Sequence, residues 1–204
     1  MNQTVVMKFG GTSVGSPERI SAVAKRVVEH QRRTGENIVV VVSAMSGETD
    51  RLVKLSREVG GETHNEREYN QLVSSGEQVT AALTAIALAR EGVPARSHLA
   101  FQLPLRTQTV FGQHLIDSVD TTKLKALFQE GAIPVVAGFQ GVDECGAYTT
   151  LGRGGSDTTA VAVAAALGSS EGPRTIIAVV VVFPCVPATA MVNFSRESWP
   201  KNSG

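Results

Sequence analysis

The chain has 204 residues, enough for one sizeable core with an appended segment. Charged residues make up 19% and the formal net charge is zero, so the composition implies no polyanionic partner such as nucleic acid. No basic segment precedes an apolar signal core at the N-terminus, and the longest strongly apolar run, Ile176 to Val182, is far too short to cross a bilayer, so no membrane association is expected.

Thr4 to Phe9 is apolar and β-branched, the pattern of a strand, and it runs into Gly10-Gly11-Thr12-Ser13. Ser16 and Pro17 read as an N-cap and first helical residue. Ile20, Val23, Ala24, Val27 and Val28 follow the helical i, i+3, i+4, i+7 template until Gly35 stops it. Ile38 to Val42 is continuously apolar, as expected of a strand buried on both faces of a parallel sheet. These elements make a βαβ unit. Ser43 to Gly47 is a loop of small residues before a helix from about Asp50 to Val59, and Gly60 to Arg67 reads as polar and exposed. Ser74-Ser75-Gly76-Glu77 precedes an apolar helix reaching Arg90. Residues 95–116 read as short strands broken by Pro94 and Pro104, and Thr121 to Gln129 as a helix. Ile133 to Ala137 is a third buried strand, ending at Gly138-Phe139-Gln140-Gly141, and Val142 to Tyr148 reads as a hairpin or excursion. Three buried strands thus each end in small residues, and in an open α/β sheet such loops converge on a ligand at the strands' carboxyl ends.

The stretch Thr149 to Leu167 carries the strongest local signal. Gly152, Gly154 and Gly155 surround Arg153, then Ser156 and Asp157 open an alanine- and valine-rich run of about three helical turns that reads as apolar almost all round and buried. A helix N-terminus offers free backbone N–H groups to an anion, and an arginine fork suits a carboxylate or phosphate. Asp157 could cap the helix or orient a nearby cation. Lys8 stands just before Gly10 and Gly11, which suits nucleotide phosphates, although in the Walker A order the lysine follows the glycines. Cys145 and Cys185 have no metal or redox spacing, which suits a reducing cytoplasm. His30, His64, His98 and His114 are scattered, and none is assigned a catalytic role. No nucleophile elbow or metal-ligand spacing is present, so no protein-held metal is expected.

Together, KFGGTSV (Lys8 to Val14), SAMSGETD (Ser43 to Asp50), SSGE (Ser74 to Glu77), AGFQG (Ala137 to Gly141) and TTLGRGGSD (Thr149 to Asp157) resemble, in that order, the motifs of aspartate kinases. The resemblance covers about residues 4–168. The first and last motifs separate this branch of the amino acid kinase superfamily from glutamate, acetylglutamate and uridylate kinases. It implies an α/β fold, a three-layer αβα sandwich on a mainly parallel sheet. The implied activity is transfer of the γ-phosphoryl group of MgATP to the β-carboxylate of L-aspartate, the first step of lysine, threonine and methionine biosynthesis, in the cytoplasm. By the same resemblance Lys8 would stabilise the transferring phosphoryl group and Asp157 would orient Lys8. Lys8, Phe9, Gly10 and Gly11 would border the nucleotide phosphates, with Mg2+ carried on ATP. Arg153, with Gly154 and Gly155, would hold the substrate carboxylate and Glu77 the substrate amino group, while Ser43, Thr49 and Ser156 would complete the aspartate side.

After Gly168 the resemblance stops. The expected strand would be followed by a nucleotide segment like TDVDGVYTTDPR, which is missing, as are a second phosphate-binding lysine and regulatory ACT domains. The expected division is therefore a catalytic domain at 1–168 and a divergent tail at 169–204, an out-of-frame or truncated end. In that tail Thr175 to Val182 reads as a strand, an aggregation hazard if unpaired, and the remainder, with Pro184, Pro187 and Pro200, reads as irregular. Weak or no turnover is expected of this chain alone. The alternative is a non-catalytic fragment that binds aspartate or a full-length subunit, and a homo-oligomer is compatible with either.

Overall fold

A computed structural model describes residues 3–61, 65–171, 177–182 and 190–194. His64, Cys185 and the prolines of the tail lie outside the described residues, as do Thr175 and Ile176 at the start of the expected strand. Strand β1 (Thr4–Phe9) leads through a glycine turn into helix α1 (Pro17–Thr34) and returns as β2 (Asn37–Val42). Ser16 caps α1 by accepting from the Arg19 N–H. Gly35 closes it in the left-handed region at φ 70, where a Cβ would be strained, and donates its N–H to the Gln31 carbonyl.

The chain continues through α2 (Glu48–Gly60), α3 (Glu66–Val73), α4 (Ser75–Arg90), β3 (Ala95–His98), β4 (Leu105–Val110) and β5 (Gln113–Val119). Then come α5 (Thr122–Gln129), β6 (Ile133–Ala137), β7 (Gln140–Val142), β8 (Tyr148–Thr150), α6 (Gly155–Glu171), β9 (Ile177–Val182) and β10 (Ala190–Phe194). Helix α2 starts at Glu48, earlier than periodicity suggests, because Gly47 turns the chain at φ 81. Helix α3 was not anticipated, being short and carrying few apolar residues.

The main sheet has the order β10-β9-β1-β2-β6-β3, parallel throughout except for β10. Side chains alternate across it. Val5, Met7, Phe9, Val40, Val42 and Val135 face α1 and α4, and Val6, Val39, Val41 and Val136 face α6 and Leu124 of α5. This is the expected three-layer αβα sandwich. Helix α6 differs from its expected all-round burial: Ala160, Val163, Ala164 and Leu167 pack on the sheet, while Ala165 faces solvent. Alanine tolerates either environment, so its apolar run overstated the contact.

A second sheet, β5-β4-β7-β8, stands beside the main one, and its β7–β8 hairpin is the expected excursion. Strand β9 pairs with β1 on one side and β10 on the other. Its backbone is therefore paired along both edges, and β10 is a further strand that the proline-rich tail did not suggest. Helices α3 and α4 together, Glu66–Arg90, are long and apolar enough for a bilayer span, but half of that stretch is buried in protein.

Candidate active site

β1, β2 and β6 are neighbours in the sheet, so their carboxyl-end loops meet. The Ser43 N–H donates to the Phe9 carbonyl, the Gly138 N–H to the Val42 carbonyl and the Ser46 N–H to the Gly11 carbonyl, which ties the three loops together. Glycine is required at position 11, where a Cβ would stand 2.7 Å from the Ala44 carbonyl oxygen. At Gly10 a Cβ would face the Lys8 ammonium at 3.5 Å, so the lysine head lies directly against the glycine turn.

Lys8 is 8% exposed. The period of the strand turns it to the face of Val6, toward α6, and there its Nζ lies 2.9 Å from Oδ1 of Asp157. Of the two roles open to Asp157, the structure places its side chain on the cation. The Gly154 carbonyl accepts the first helical bonds instead, from the N–H groups of Asp157 and Thr158. Phe9 contributes from behind: its ring is fully buried in the core and its carbonyl is taken by Ser43.

Glu77 lies in the first turn of α4 and is 3% exposed. Its Oε1 accepts from the Ala44 N–H at 2.9 Å, whereas the buried Oε2 has no hydrogen-bond partner. Burial pushes this carboxyl up to about 7, against the lowering effect of the bonds from Ala44 and its own backbone N–H. Gly76 allows the approach, since a Cβ there would fall 2.9 Å from that of Ala44. Ser43 and Thr49 are half-buried along the same loop and the start of α2.

The Gly-rich loop turns through Gly152 and Gly154 at φ 70 and 79 and leaves Arg153 exposed, without an ion pair among the described residues. Gly155 and Ser156 are buried beneath it. A Cβ at Gly138 would lie 2.7 Å from the Ser156 side chain, so the β6 loop and the start of α6 are in close contact. Phe139 was missed by sequence reasoning. Its backbone is left-handed at φ 67, its N–H donates to Thr159 Oγ1, its carbonyl accepts from Leu151, and its ring abuts Gly155. Nothing in a phenylalanine's chemistry foretells that conformation, although the flanking glycines mark a tight loop. A cleft of about 620 Å³ lined by Glu68, Leu72, Gln78 and Tyr148 contains none of these residues.

A nearly buried ammonium held by an exposed carboxylate, glycines that bring backbone close to it, and a buried carboxyl with a free oxygen can bind anionic and cationic groups at the carboxyl ends of the central strands. The chain belongs to the amino acid kinase family, whose model matches residues 3–171. It is 52% identical over 167 residues to the aspartate kinase of Pseudomonas putida and equally so to the aspartokinase of Geobacillus stearothermophilus. Each alignment covers 82% of this chain, which spans 40% of the length of these curated relatives. Among solved structures, the Synechocystis aspartate kinase superposes with a TM-score of 0.65 at 42% identity, over 85% of this chain and 28% of that one. Aspartokinase III of E. coli, solved with aspartate and ADP, gives 0.69 at 26% identity, over 87% and 49%.

Proposed function

We propose that this chain carries the acceptor half and the phosphoryl-transfer centre of an aspartate kinase, which joins the γ-phosphoryl group of ATP to the β-carboxylate of L-aspartate. The observation that carries the reading is the Lys8–Asp157 pair set against Gly10 at the carboxyl end of β1. A carboxylate is already nucleophilic at neutral pH, so the site needs no general base, and catalysis rests on positioning and charge neutralisation. Lys8, held in place by Asp157, would balance charge building on the transferring phosphoryl oxygens. Gly10 and Gly11 would let backbone come close to the nucleotide phosphates, and Mg2+ bound to ATP would add its own charge there. Glu77 would receive the substrate ammonium on its free Oε2, and Arg153 would grip a carboxylate with its planar fork.

A second reading, aspartate binding without turnover, is favoured by the family match stopping at residue 171, ahead of β9 and β10. Calorimetric titration with L-aspartate and with MgATP, beside a hydroxylamine trap for the acyl phosphate, separates the two. Product formation abolished by Lys8→Ala supports the kinase. Aspartate binding without ATP binding or product supports the second reading, and absence of aspartate binding refutes both.

A further inference from the structure

Two buried amide side chains have been given no part in the chemistry of the site. Gln140, at the start of β7, is 0% exposed, and Asn70, in α3, is 5% exposed. A buried amide is costly unless its hydrogen bonds are made, and both are used here. Gln140 Nε2 donates to the Ser74 carbonyl at 2.8 Å, and its Oε1 accepts from the Ala100 N–H at 3.2 Å. A carbonyl only accepts and a backbone N–H only donates, so these partners set which way the amide points. Asn70 Oδ1 accepts from the Thr150 hydroxyl at 2.9 Å.

The four residues form a pattern. Gln140 and Thr150 are cross-strand partners in the β7–β8 ladder. Asn70 and Ser74 stand one helical turn apart where α3 gives way to α4, joined by the Ser74 N–H to the Asn70 carbonyl. Two parallel bonds therefore run from the end of the hairpin to the junction of the helices. Three residues beyond Thr150 comes Arg153, and three beyond Ser74 comes Glu77. Taken together with the Gln140–Thr150 ladder pairing and the Ser74–Asn70 backbone bond, the two bonds tie the segment that leads into Arg153 to the helix junction that leads into Glu77.

We infer that Asn70 and Gln140, through Thr150 and Ser74, are positioning residues that hold the Arg153 loop and the Glu77 helix turn at a set separation. The assignment of Arg153 and Glu77 to an amino-acid ligand rests on the proposed function; the staple itself is a statement about this fold. A helix start held only by apolar packing has freedom to slide, whereas two directional bonds, one buried and one half-buried, define one register. The Ala44 N–H reports directly on it, because it is bonded to Glu77 Oε1.

The test is amide hydrogen exchange followed by NMR on the full chain. Thr150→Val removes one bond at constant shape, Gln140→Met removes the other together with the bond from the Ala100 N–H, and Thr150→Ser restores the hydroxyl. Exchange at Ala44 should quicken at least tenfold in the first two, beyond any change at Val40 and Val136 inside the sheet, and return in Thr150→Ser. Simple loss of stability would raise all three positions together. Protection at Ala44 that stays at the wild-type level in either disruptive variant, or falls only in step with Val40 and Val136, overturns the inference. In parallel, calorimetry with L-aspartate should show at least fivefold weaker binding in both variants. A wild-type chain giving no heat with aspartate refutes the proposed function and leaves the exchange data to decide the staple.

Discussion

Glutamine at position 77 keeps an acceptor for the Ala44 N–H and removes a buried charge. The Glu77 carboxyl titrates at about 7 in the folded protein against 4.5 for the ordinary group, chiefly because it is buried. Between those values the folded state holds more protons than the unfolded state, so stability falls as pH rises through that window. The difference corresponds to about 3 kcal/mol once the pH exceeds 7. In Glu77→Gln this pH-dependent loss disappears. Urea unfolding from pH 4.5 to 8.5 should show the variant gaining on the wild type by about 3 kcal/mol across the window, then running parallel to it. The cost falls on binding. If Oε2 receives an ammonium group, aspartate binding to the wild type strengthens from pH 6 to 8, with proton release detectable as buffer-dependent heat, and the variant binds at least tenfold more weakly at pH 8. A stability difference that stays flat with pH would refute the burial argument, and unchanged aspartate affinity would refute the ammonium contact.

Arg153→Lys should leave unfolding free energy within about 0.5 kcal/mol, since the side chain is exposed, yet weaken aspartate binding roughly tenfold by losing the planar fork. Gly138→Ala would set a Cβ 2.7 Å from the Ser156 side chain and 3.0 Å from its Cα, so denaturation should show a loss of about 1–3 kcal/mol. At the tip of the β4–β5 hairpin, Phe111 and Gly112 both have positive φ, 50 and 75, and Phe111 is fully exposed. Phe111→Asn, which suits that turn better, should therefore stabilise the chain by about 0.5–1 kcal/mol and leave aspartate binding unchanged.

Local pattern was enough for the central strands of the sheet and the first helix. Ile38 to Val42 is an uninterrupted apolar run, and Ile133 to Ala137 is apolar around Pro134, because both faces of a central parallel strand are covered, and Ser16-Pro17 and Gly35 mark the ends of α1 because the backbone there needs those residues. The order of the Gly-containing motifs carried the family resemblance, and with it the expectation that Lys8 and Asp157 work together. Where patterning was weak the reading failed. Helix α3 has too few apolar positions to announce itself, and β10 lies in a proline-rich tail.

The contacts that shape the site were settled by long-range packing. Thr150 reaches Asn70 across 80 residues of chain, Gln140 reaches Ser74 across 66, and the Ala44 N–H finds Glu77 across 33. A residue's type states which hydrogen bonds it can make, and its neighbours in sequence state its local conformation. Which partner it meets depends on which strands lie side by side and how the helices cross them, and that is set by burial of the whole core. So Lys8 and its partnership with Asp157 were legible in the motifs, whereas the 2.9 Å contact between them, the left-handed turn at Phe139 and the unpartnered oxygen of Glu77 emerged when the sheet brought three loop ends together.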